Sequence, residues 1–117
     1  MNTKIFFTVL ATLGLLVSCA QLSPQPMDMA QAVQNARTSA DQKALAKYYE
    51  DAAKEMQLKV KEHKDLLKHY EAKSYLCGKR AQDLEAHCRG LIRYYEQAAE
   101  ANLSMADSHR KIAAEAK

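Results

Sequence analysis

The chain has no tryptophan, three glycines and two prolines. So few glycines leave no phosphate-cradling loop, and no Gly-x-Ser-x-Gly elbow is present to expose a nucleophilic serine. Both prolines, Pro24 and Pro26, fall early, and no later proline interrupts a regular backbone. β-branched residues are few, and no alternating apolar pattern of the strand type occurs after residue 20. Nor is any later stretch apolar for eighteen residues, which excludes a membrane span there. Charge of neither sign dominates: 17 Lys and Arg stand against 14 Asp and Glu, with the signs interleaved. Without a basic block or Arg–aromatic clustering, nucleic acid is not an expected partner. Much of the apolar fraction is alanine, which buries little area. A lone domain of this composition has a thin core, which self-association or a partner surface would complete.

What is there begins with an export signal. Lys4 and the amino terminus supply positive charge, Ile5 to Val17 is a mostly apolar run, and the small residue Ser18 precedes Cys19. This order is that of a cleaved secretory signal, and the run is short of the ~20 residues of a bilayer span. Leu16-Val17-Ser18-Cys19 resembles a bacterial lipobox, and the chain is similar in general type to small helical lipoproteins of Proteobacteria. The resemblance implies that the Cys19 thiol carries diacylglycerol, that the signal is cut before it and that the new amino terminus is acylated, for example with palmitate. Ala20, where an aspartate would retain the protein at the inner membrane, implies the periplasmic side of the outer membrane. Two or more chains anchor stably where one is marginal.

Three zones follow: residues 1–18 as signal, 19–38 as lipidated cysteine and tether with the option of a short helix, and 39–117 as a helical body. Ala, Leu, Glu, Lys and Gln dominate that body and favour helix by propensity. Thr38 with Asp41 and Ser39 with Gln42 each have the spacing of a helix start. The decisive pattern is a repeat: Leu45-Ala-Lys-Tyr-Tyr-Glu-Asp-Ala-Ala53 returns 46 residues later as Leu91-Ile-Arg-Tyr-Tyr-Glu-Gln-Ala-Ala99, which sets His63 on His109 and Lys64 on Arg110. Two helices of one design joined by a turn is the simple reading, with Gly78 as the break and Gly90 inside the second helix. The fold class expected is therefore all-α: an antiparallel, coiled-coil-like hairpin, with a four-helix bundle as its dimer.

In the second helix, Leu84, Cys88, Leu91, Tyr95, Ala98 and Asn102 open a stripe that continues through Met105, His109, Ile112 and Ala116. The first helix offers Leu45, Tyr49, Ala52, Met56 and Val60, then His63, Leu67 and Tyr70, with one irregular step between Met56 and His63. A turn near Gly78 then sets Tyr48 against His109 and His63 against Tyr94, two tyrosine–histidine layers related by the repeat.

Candidate ligand or metal residues are His63, His109, Tyr48 and Tyr94, with Met56 and Met105. No histidine stands three or four residues from another histidine or a cysteine, so the zinc-type spacing is missing. Cys77 and Cys88 are candidate disulfide partners or free thiols. If Ala81 to Cys88 is helical their α-carbons lie beyond the limit of about 7 Å, which leaves free thiols or a link between subunits. Acidic residues alternate with lysines, as on a solvated helix face. The expected function is a non-enzymatic, membrane-anchored structural or protein-interaction role. No cofactor is expected beyond the lipid on Cys19. The alternative is ligand or metal binding in the bundle, and a lesser one is envelope tethering through Lys117, similar to the major outer-membrane lipoproteins.

Overall fold

The computed structural model describes residues 28–116. The signal, Cys19, residues 20–27 of the tether and Lys117 lie outside the described residues. The elements are α1 (Met29–Asn35), α2 (Ser39–Ala72), the single-turn α3 (Ser74–Cys77), a 3₁₀ turn (Gly78–Arg80) and α4 (Ala81–Glu115). No strand occurs among them. α2 and α4 run antiparallel and pack along their length, so the fold is the expected all-α hairpin. At 1.5 Å per residue its arms are about 50 Å long.

The starts of α1 and α2 have local causes. Asp28 caps α1, its carboxylate accepting from the Gln31 amide at 3.1 Å. Of the two cap spacings before α2, Thr38 with Asp41 is used. The Thr38 hydroxyl accepts from the Asp41 amide at 3.1 Å, while the Asp41 carboxylate accepts from the Thr38 amide at 2.9 Å and the Arg37 amide at 3.0 Å. That is a complete capping box. Ser39 plays a different part. Its hydroxyl donates to the Ala113 carbonyl at 2.8 Å, tying the start of α2 to the end of α4.

The connection is longer than a break at Gly78 alone. α2 ends at Ala72, Lys73 leaves helical geometry (φ −123°, ψ 33°), and α3 adds one turn before Gly78. Gly78 has φ 55°, the one positive value among the described residues, which a side chain would resist. α4 runs through Gly90 without interruption.

The core differs from the expected seam by a rotation. Among the described residues no large side chain is fully buried, and the core is mostly alanine: Ala46 and Ala53 on α2, Ala99, Ala106 and Ala113 on α4. On α4 the buried and half-buried line runs Ala81, Glu85, Cys88, Ile92, Tyr95, Ala99 and onward in steps of four and three. Cys88, Tyr95, Asn102 and His109 lie on it as expected. Leu91, Met105 and Ile112 are exposed instead, the residue after each taking the inward place, while Leu84 and Ala98 are half-buried at the edge of the line. On α2, Leu45 is buried as expected, with Ala46 beside it equally so, and Ala53 is buried where the expected Ala52 is half-buried. The irregular step near Met56 then disappears. Small residues in alternate layers leave room for the bulky rings between them, and at 100° per residue this choice turns α4 by roughly 50° from the seam that residue size suggests.

Candidate functional site

The two tyrosine–histidine layers are present, with a partner one residue along. Tyr49 stacks on His109, ring centroids 5.4 Å apart and planes 5° from parallel. His63 stacks on Tyr95 at 5.5 Å and 16°. Tyr48 and Tyr94, the partners expected from sequence, are displaced outward by the same rotation and meet their neighbours edge-on, Tyr48 with Tyr49 and Tyr94 with Tyr95, each pair at 5.5 Å.

The shift of 46 residues that relates the repeats exchanges these layers, so the hairpin has a pseudo-two-fold axis. It also exchanges two ion pairs. Lys64 Nζ meets Glu96 Oε1 at 2.9 Å, and its counterpart is the pair of Arg110 with Glu50. A third bridge, Arg89 to Glu71 at 2.7 Å, continues this ladder toward the turn. The pairs are exposed apart from the half-buried Glu50, and each is worth about 0–1 kcal/mol.

The symmetry fails at one informative place. His109 is buried, and its Nδ1–H donates to Gln42 Oε1 at 2.8 Å. In the sister layer the repeat puts Cys88 where Gln42 stands, and His63 Nδ1 is buried with no hydrogen-bond partner. Cys88 is buried and Cys77 half-buried, and both are free thiols. α4 is helical from Ala81, the condition under which an internal bond is not expected.

Histidines and methionines of the candidate ligand set are not brought together. Since His109 sits opposite Tyr49, fourteen residues before His63, the two histidines stand about 21 Å apart along the axis. Met56 is half-buried, while Met105 faces outward. No three His, Cys, Asp or Glu side chains among the described residues are grouped to hold a metal.

The feature sequence reasoning missed is a second seam on α4. Displacing the large apolar residues from the α2 contact puts them on one outer face. From Leu84 to Ile112 this face advances in alternating steps of three and four, the same rhythm as the buried line, and contains no Asp, Glu, Lys or Arg. Leu91 is 38%, Met105 42%, Ile112 45% and Tyr94 64% exposed, and Leu84 and Ala98 are half-buried. Charges crowd the remaining faces: Arg89, Arg93, Glu96, Glu100, Asp107 and Arg110 all lie elsewhere on the helix. The signal is legible as spacing, but residue size alone assigns that stripe to a single seam facing α2.

α1 borders another part of the surface. A shallow cleft of ≈ 220 Å³ between it and α2 is lined by Ala32, Asn35, Ala36, Asp41, Ala44 and Leu45. Among the described residues no helix is long and apolar enough to cross a membrane. Comparison with known proteins finds no matching family model, no matching curated protein and no matching solved structure.

Proposed function

We propose that the protein is a lipoprotein of the bacterial envelope, anchored through lipid on Cys19 at the periplasmic side of the outer membrane, whose hairpin serves a non-enzymatic structural or protein-interaction role. The observation that carries the anchoring is Leu16-Val17-Ser18-Cys19 at the end of an apolar run. The interaction role draws support from the outer face of α4. Exposed apolar patches rimmed by polar residues mark interaction sites, and this one is aligned along an entire helix. A lipid at one end and a rigid rod of about 50 Å beyond the tether hold such a face at a set distance from the membrane.

The test is fatty-acid labelling of cells that express the full chain, with fractionation of membranes. The intact chain should take up labelled palmitate and sediment with the outer membrane, and Cys19→Ala should lose both. A Cys19→Ala chain that keeps its label and its membrane fraction would overturn the anchoring.

A further inference from the structure

We propose that the outer face of α4 binds a second copy of this chain, α4 against α4, antiparallel about a two-fold axis through Ala98. The inference rests on the interaction reading above and names its partner and surface. The two seams stand one residue apart around α4, roughly 100°, so a partner helix and α2 occupy different sides and do not compete.

The stripe is complementary to itself when reversed. With Ala98 opposite Ala98, Leu91 falls opposite the partner's Met105, and Leu84 opposite the partner's Ile112. In the alternate layers the bulky Tyr94 falls opposite the small Ala101 of the partner subunit, and His87 opposite the partner's Ser108. Large therefore meets small at the centre, apolar meets apolar outside it, and the polar residues meet one another. The hairpin itself uses this layer geometry between α2 and α4.

Charge beside the seam fits the reversed direction. Along the rim next to it, Asp83 and Lys111 are the charged positions between the two ends, with Gly90, Gln97 and Ser104 between them. Reversed pairing brings Asp83 of each copy to Lys111 of the other. A parallel pairing would set this rim against the opposite flank of the partner's stripe and bring neither charge to its counterpart. The same rim argues against a lipid surface as the occupant, because a helix lying in a membrane interface carries a rich border of Lys and Arg, and this border has one lysine and one aspartate.

The test is disulfide trapping in intact cells with the full chain in a Cys77→Ala, Cys88→Ala background. Ala98→Cys lies on the axis and should oxidise to a species of twice the monomer mass containing two differently tagged copies. Ala114→Cys, on another face, should stay monomeric. Leu91→Asp added to Ala98→Cys should reduce the crosslink at least tenfold while helicity by circular dichroism of the purified chain is unchanged. No crosslink at Ala98→Cys, a crosslink of equal yield at Ala114→Cys, or a product with a different protein would each overturn the second-copy assignment. Those results leave the anchoring untouched, since fatty-acid labelling at Cys19 is read separately.

Discussion

Tyr49 and His109 stack face to face at 5.4 Å, and the repeat reproduces the arrangement in His63 and Tyr95 at 5.5 Å. One histidine donates to Gln42 and the other has a buried, unpartnered Nδ1. An unmade buried hydrogen bond costs about 1–3 kcal/mol, so the same substitution has opposite effects in the two layers. His109→Phe should destabilise by about 1–2 kcal/mol, because it strands the Gln42 amide. His63→Phe keeps the ring, removes the orphan and should leave stability equal or raise it by about 1 kcal/mol. Urea unfolding of both variants at neutral pH checks the contrast.

Residue size inverts its usual meaning in this core. Ala106 has no exposed surface, whereas Leu58 is 67% exposed. Ala106→Leu should cost about 1–3 kcal/mol through overpacking against α2. Leu58→Ala, which removes more apolar surface, should change stability by less than about 0.5 kcal/mol. Thermal melts of the two variants give the ranking directly.

The two described glycines should also respond with opposite signs. An added Cβ meets nothing within 4 Å at either Gly78 or Gly90, so backbone conformation alone decides. Gly78 has φ 55° and ψ −135°, where an L-residue is strained, and Gly78→Ala should destabilise by about 1–3 kcal/mol. Gly90 sits in the interior of α4, and Gly90→Ala should stabilise by about 0.5–1 kcal/mol. Denaturant midpoints distinguish the two.

Acid should loosen the start of α2 through Asp41. The Thr38 amide, and next the Arg37 amide, donate to its carboxylate and hold it below the ordinary 3.8. A carboxyl depressed in the folded state stabilises fully above its unfolded value, and that contribution is lost as pH falls through the folded one. Between about pH 5 and pH 2 the melting temperature of the native chain should therefore fall more than that of Asp41→Asn. Equal slopes would show that the cap does not depend on the charge.

What is legible in the sequence divides by range. Local chemistry is plain: Thr38 with Asp41 marks the start of α2, and Gly78 marks the turn. The repeat makes the pairing of one tyrosine with one histidine in each layer readable from the chain alone. Which tyrosine is not readable, because Tyr48 and Tyr49 are adjacent and the repeat treats both alike. Choosing between Leu91 and Ile92, or Met105 and Ala106, by size assumes that α4 has one apolar face. It has two, and the alanine line takes the contact with α2 because alternate small layers accommodate the stacked rings. The interruption at Lys73 has no glycine or proline to announce it.

The register of the hairpin is the claim on which the others depend, and proton–proton contacts between the rings in a labelled sample of the chain test it most directly. Strong cross-peaks should join His109 to Tyr49 and His63 to Tyr95, with those to Tyr48 and Tyr94 weaker or missing. Dominant contacts of His109 with Tyr48 and of His63 with Tyr94 would return Leu91, Met105 and Ile112 to the α2 contact and abolish the free face of α4.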